Sequence, residues 1–229
     1  MSWFNGLYSY EIVLLVLGAI LFLVSLVLLI YQVTHAKSLG SLALFFGISV
    51  AMIGYPSIQQ IQFSHNVLTI SKYTDALEGD PTNAKTRDEL QRDVSKLASR
   101  AATAQVNPQG LTVFATAQYA LDDEPAATAT LEKALQSNPA EPEALALKSK
   151  IGAVQNLSEL TARVKADPSN QVAAVALQKS LLSATGTPVA SPKALLNIAE
   201  AQAVLGQKKQ AEVNMQKALT IKPELKVMH

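Results

Sequence analysis

Histidine, cysteine and clustered carboxylates are the residues best able to bind a metal, attack a substrate or move a proton, and here their spacing argues against all three. The three histidines are His35, His65 and His229, in a short loop, at the end of an apolar block and at the C-terminus, and there is no cysteine. No metal-ligand set or Cys/His nucleophile pair can be assembled from them. His65 has no second His, Cys or carboxylate at ligand spacing and reads as a structural, interfacial side chain. Asp122, Asp123 and Glu124 fall in a turn between two predicted helices, where acidic residues complement the dipole of the following helix. No glycine-rich phosphate loop is present. A net charge of +1, with few aromatics among the basic residues, argues against nucleic-acid binding. The expectation is a chain that is not an enzyme, with no catalytic residues, no metal and no cofactor.

The elements come from the distribution of charge. Of 19 Lys+Arg and 18 Asp+Glu, only Glu11 and Lys37 precede Lys72. A charge in hydrocarbon costs several kcal/mol, so this partition predicts a membrane anchor joined to a water-facing domain. Residues 1–58 are expected to form a two-helix transmembrane hairpin with spans at about 12–31 and 39–58, each long enough for a hydrocarbon core of about 30 Å. Trp3, Phe4, Tyr8, Tyr10, Tyr31 and Tyr55 stand where interfacial aromatic belts belong. A cleaved signal peptide fits poorly, because no basic residue precedes the run, the run is too long and no small-x-small site follows it. Neither span carries an ionisable group away from its ends, which argues against ion or proton transport. Lys37 places the connecting loop in the cytoplasm, and hence the C-terminal domain on the periplasmic side of a bacterial inner membrane. Gly40, Ala43, Gly47, Ala51 and Gly54 form a small-residue stripe suited to close helix packing, first of all against the first span.

Beyond Pro56 the second span is expected to kink and continue as an amphipathic connecting helix over residues 59–79, with Ile58, Ile61, His65, Leu68 and Leu77 on one face. Residues 80–229 are rich in Ala, Leu, Gln and Lys and are punctuated by Asp-Pro, Asn-Pro and Lys-Pro steps, which is helical patterning without strand signals. This part repeats itself. Ile70–Asn83 aligns with Leu157–Asn170 through Ser71/Ser158, Thr74/Thr161, Asp80/Asp167, Pro81/Pro168 and Asn83/Asn170. The segment from Phe114 aligns without gaps with that from Ile198, sharing Ala115/Ala199, Gln118/Gln202, Leu121/Leu205, Ala127/Ala211, Ala134/Ala218 and Pro139/Pro223. Such repetition predicts stacked helical hairpins. The fold class is therefore all-α, with a transmembrane hairpin preceding a superhelical domain.

At these residues the chain resembles the tetratricopeptide-repeat family. Leu111, Phe114, Ala115, Ala127, Leu131, Ala134 and Pro139 fall on the motif's large, large, small, small, large, small and proline positions. Leu195, Ile198, Ala199, Ala211, Met215, Ala218 and Pro223 do the same. The clear repeats are about 108–140 and 192–224, with a degenerate hairpin over Pro142–Ala166. Gln118 and Gln202 stand where the family usually carries tyrosine, and the opening tryptophan is missing. The resemblance implies a partner-binding groove lined by Thr112, Thr116, Tyr119, Lys193, Asn197 and Glu200. It implies a membrane-anchored scaffold or adaptor that docks protein partners. The alternative is an accessory structural subunit of a multisubunit membrane complex, including a role like that of the repeat-bearing subunit of cytochrome c maturation. Repeat arrays normally finish with a polar cap. The last helix is expected to leave Val213, Leu219 and Ile221 uncovered for a second copy or another subunit, unless Lys222, Lys226 and the tail fold back over them.

Overall fold

A computed structural model describes residues 9–34, 40–103, 106–186 and 190–228, and among them the chain is entirely helical. The α-helices are α1 (Ser9–Thr34), α2 (Gly40–Gly79), α3 (Ala84–Thr103), α4 (Pro108–Ala120), α5 (Glu124–Ser137), α6 (Pro142–Ala166), α7 (Gln171–Thr185), α8 (Pro192–Val204) and α9 (Lys208–Ile221). A 3₁₀ turn, η1 (Pro223–Met228), follows them. The chain divides into two compact units, Met1–Asn66 with Leu97–Asn107, and Val67–Lys96 with Pro108–His229.

In the first unit α1 is apolar on nearly every side. Among the described residues its segment Tyr10–Tyr31, 22 residues with almost no burial, is the one stretch long and apolar enough to cross a membrane. The second expected span corresponds to a shorter apolar stretch, Phe45–Tyr55, within α2. Helix α2 runs unbroken through Pro56. Trp3, Phe4, Tyr8 and Lys37, on which the expected belt and orientation rested, lie outside the described residues.

Contact between α1 and α2 centres on Gly18. A Cβ there would lie 2.8 Å from Met52 Cβ and 3.1 Å from Ile53 Cγ1, so only glycine lets the two backbones come this close. One turn on, the Phe22 and Phe46 rings meet tilted by 41° at 5.2 Å between centroids, and Glu11, Ser25 and Ser49 are buried in the same unit. The expected small-residue stripe does not make this contact. Nothing lies within 4 Å of a Cβ added to Gly47 or Gly54, and Ala51 is exposed. The surroundings of Gly40 and Ala43 lie outside the described residues. Spacing alone marks a face on which backbones could approach; the glycine that is used lies on the other helix.

In the second unit the tail of α2 buries Ile70, Thr74 and Leu77, spaced i, i+4, i+7. The expected face was set wrongly upstream: Ile58 and His65 are exposed, and Leu68 is 71% exposed. Hairpins α4–α5, α6–α7 and α8–α9 form the body, with α6 also against α8. Helix α6 is one continuous helix of 25 residues, so the expected degenerate hairpin within 142–166 is instead α6 followed by α7. Asp167 and Pro168 supply the break, whereas Gly152, in open space, does not.

The repetition is exact at the level of element bounds. Pro108/Pro192, Ala120/Val204, Glu124/Lys208 and Ser137/Ile221 all stand at an offset of 84 residues. Ala115, Ala127, Ala134, Ala199, Ala211 and Ala218 are buried where the paired helices cross, because only a small side chain fits at a close crossing. Upstream, Asp80 and Asp167 each accept from the backbone and the hydroxyl of the residue two ahead, Thr82 and Ser169. Asn83 and Asn170 then cap α3 and α7 by accepting from Thr86 and Ala173 N–H.

The C-terminal expectation needs correction. Segment η1 folds against α9 and buries Leu225; Leu219 and Ile221 are half-buried. Only Val213, 54% exposed, stays open of the three.

Candidate functional site

Three helices of the second unit converge on a cleft of about 250 Å³. The tail of α2 contributes Ser71, Thr74 and Asp75, α4 contributes Thr112, Val113 and Thr116, and the first turn of α6 contributes Glu143. Thr112 and Thr116 reach the cleft because they lie one turn apart on α4, and Thr74 does so from α2 one turn after Ser71. Each spends its hydroxyl proton on its own helix. Thr74 Oγ1 donates to Ile70 O at 2.9 Å, Thr112 to Pro108 O at 2.9 Å and Thr116 to Thr112 O at 2.8 Å. Beside these lone pairs the wall offers the Ser71 hydroxyl and the Asp75 and Glu143 carboxylates.

The helices that line the cleft are joined to one another by polar pairs. Lys150 on α6 meets Glu78 on α2 at 3.7 Å, Lys150 buried and Glu78 half-buried. Desolvation raises the Glu78 carboxyl above its usual range, with Lys150 opposing and Asp75 assisting. The same loss of water lowers the Lys150 ammonium, with Glu78 opposing. Glu141, buried just before α6, accepts from Gln109 Nε2 at 3.0 Å and from Asn138 Nδ2 at 2.9 Å. These bonds tie the start of α4 and the end of α5 to the start of α6.

Of the six residues expected to line a groove, the structure brings Thr112 and Thr116 together in this cleft. Thr112 is only 3% exposed, so it forms its inner wall. Tyr119 is not on a groove: it is 4% exposed, and its hydroxyl is buried without a hydrogen-bond partner. Burial, followed by the nearby Glu124 and Asp122 carboxylates, lifts that phenol well above its usual range. By spacing Tyr119 shares a helical face with Thr112 and Thr116, but it is buried within the fold and does not line the cleft. Lys193, Asn197 and Glu200 belong to the second hairpin, where Lys193 is exposed and Glu200 lies 3.8 Å from Lys165.

A second polar assembly had no counterpart in the sequence reading. Arg87 on α3 donates from Nη1 to Ala120 O at 2.7 Å and from Nη2 to Pro81 O at 3.1 Å and Ala190 O at 2.9 Å. It thereby joins the α2–α3 turn, the end of α4 and the approach to α8. Burial pulls its guanidinium below the usual value, and Asp122 opposes this. Asp122 accepts from Ser191 Oγ at 2.9 Å, from the Lys193 N–H at 3.4 Å and from Lys222 Nζ at 3.1 Å. Of the acidic trio, only Asp123 and Glu124 serve α5. Asp123 caps it through Ala126 N–H at 3.2 Å, and Glu124 opens its first turn. The signal available in the sequence was a third acidic residue beyond what one cap requires.

Gln118 and Gln202 also acquire a role. Gln118 Oε1 accepts from Thr130 Oγ1 at 2.8 Å, and Gln202 Oε1 accepts from Asn214 Nδ2 at 2.9 Å. The same cross-helix bond closes both hairpins at matched positions. The comparisons with known proteins add no name to this arrangement: no family model, no curated protein and no solved structure matches the chain.

Proposed function

We propose that this protein is a membrane-anchored scaffold. In this reading α1 and the apolar first part of α2 form a transmembrane hairpin in a bacterial inner membrane. The second unit, of the tetratricopeptide-repeat kind, is presented on the periplasmic side to dock a protein partner. The observation that carries the reading is the contrast between the units. One exposes nearly all of an apolar 22-residue helix, whose free-energy minimum is hydrocarbon; the other stacks helical hairpins, two of them at a constant offset, and opens a cleft between α2, α4 and α6. The Asn-capped and Gln-bridged hairpins make a rigid frame, which lowers the ordering cost of binding.

A second reading, an accessory structural subunit of a larger membrane complex, has its own support. Val172, Val175 and Leu182 are well exposed along α7, and an apolar stripe on a water-facing helix is the kind of surface a neighbouring subunit covers.

Extraction of the full chain from membranes, with identification of co-purifying proteins, separates the two. Stoichiometric membrane subunits favour the accessory subunit, and transient soluble partners favour the scaffold. Release of the chain by carbonate washing would overturn both. Because the sequence has no cysteine, a single Val172→Cys variant reports sidedness: labelling from the periplasmic face is expected, and labelling only after the cytoplasmic face is opened would reverse the orientation.

A further inference from the structure

We infer that the cleft between α2, α4 and α6 is a receptor for one basic side chain, a lysine or arginine of a docked partner segment. This rests on the scaffold reading above and specifies the partner's chemistry. The lining decides the charge of the guest. The protons of Thr74, Thr112 and Thr116 are committed to Ile70, Pro108 and Thr112 carbonyls, so these hydroxyls face a guest as acceptors. Asp75 and Glu143 add carboxylates, and no Lys or Arg lines the cleft among the described residues. A group that only donates, an ammonium or a guanidinium, satisfies such a wall. An anionic guest would find one hydroxyl donor, Ser71, against two carboxylates.

Size and donor number exclude the nearest competitors. The volume of about 250 Å³ is below the usual range for cofactor and drug-sized ligands, about 300–1,000 Å³, but is ample for one long side chain. Among the described residues no group of three His, Cys, Asp or Glu is arranged to hold a metal ion, and hard divalent cations favour about six or more oxygen ligands.

The repeat supplies an internal control. At the 84-residue offset that superposes the two hairpins, Thr112 corresponds to Leu196, which is buried at 3% exposure; at the 87-residue offset that aligns Ile70–Asn83 with Leu157–Asn170, Asp75 corresponds to Ala162. The second copy fills with an aliphatic side chain the position that the first opens with a threonine. Thr116 corresponds to Glu200, which already lies 3.8 Å from Lys165. Packing at the Thr112 position is met by leucine, so threonine there is a departure from what the fold requires, and it coincides with the cleft.

The test uses the full chain in detergent with methyl-labelled threonine and valine, titrated with a blocked lysine pentapeptide, its norleucine counterpart and n-butylammonium. Saturable shifts at Thr112, Val113 and Thr116 are expected with the lysine peptide in the millimolar range typical of a single anchored side chain, with a Kd on the order of 1 mM. Thr112→Leu, the residue of the matched position, should weaken that binding at least about tenfold with unchanged helical signal, and Asp75→Asn should weaken it less. Equal shifts with the norleucine peptide, or no shift with the lysine peptide, would overturn the inference. Butylammonium binding as tightly as the peptide would also overturn it, since the site would then serve a free amine. None of these probes requires the native partner. Their failure leaves the scaffold reading to co-purification, and failure of co-purification leaves the cleft result intact.

Discussion

The hairpins α4–α5 and α8–α9 reverse direction through the same left-handed backbone step with different residues, Asp122 at φ 71° and Gly206 at φ 78°. Glycine takes that conformation without penalty, whereas a residue with a Cβ forfeits roughly 1 kcal/mol or more. Around Gly206 there is open space. Around Asp122 the hydroxyl of Ser191, the N–H of Lys193 and the ammonium of Lys222 converge. The difference teaches that the turn is a property of the hairpin, whereas the residue in it answers to what the turn faces. The first hairpin accepts backbone strain because its turn residue binds the second hairpin at both ends, at Ser191 before α8 and at Lys222 after α9.

The strongest way to break this comparison is to replace both turn residues by alanine. Asp122→Ala keeps the strained backbone and removes every bond the carboxylate accepts, leaving Lys222 and Arg87 without it, so a loss of about 3 kcal/mol is expected. Gly206→Ala adds only backbone strain, about 1 kcal/mol. Urea unfolding of the full chain followed by circular dichroism measures both, and an unchanged stability in Asp122→Ala would mean that the Asp122 bonds contribute nothing.

The next test sharpens the likeness between the hairpins. Ala115 and Ala199 are both fully buried at matched helix crossings. Enlarging either to leucine should overpack the crossing by about 1–3 kcal/mol, and the two costs should agree. Ala203→Leu, at an exposed site on α8, should change little. A tolerated Ala199→Leu beside a damaging Ala115→Leu would show that the repeats share bounds without sharing packing.

The smallest effect concerns Glu78 and Lys165, which occupy matched positions in α2 and α6. Glu78 is paired inside the fold with Lys150, and Lys165 lies at the surface near Glu200. Because the folded-state pKa of Glu78 is raised, the folded chain takes up a proton at a pH where the unfolded chain does not. Its contribution is complete below the unfolded value and is lost as pH rises through the folded value. Stability should therefore rise as pH falls from neutral toward the ordinary glutamate range. The gain should vanish in Glu78→Gln and persist in Lys165→Gln. A slope unchanged in Glu78→Gln would assign the titration elsewhere.

The sequence was a good guide wherever the cause is local. Asp80-Pro-Thr-Asn83 and Asp167-Pro-Ser-Asn170 stop one helix and cap the next with groups no more than three residues away, and the gapless second repeat carries its helix bounds with it. The apolar run from Ile12 to Ile30 likewise needs only composition to mark a helix long and apolar enough to cross a membrane. Local signals failed in known ways. Ile58 and Leu68 share a helical period with Leu77, but period does not say where along a 40-residue helix the covering elements begin. Small residues at four-residue spacing permit close packing without compelling it, and Gly18, the glycine at the contact, stands alone in its helix with Met52 and Ile53 opposite.

By itself the sequence determined the helical class, the separation of an apolar helix from a charged repeat region, the hairpin bounds and the alanines that sit at crossings. Each follows from residues within one or two turns of one another. Only the tertiary structure decided that Thr112 and Thr116 open on a cleft while Tyr119 turns inward, that Arg87 collects carbonyls from Pro81, Ala120 and Ala190, and that Asp122 reaches Lys222, 100 residues away. These depend on which faces meet once the hairpins stack. That choice is set by the summed burial of many side chains, and no single residue in the chain announces it.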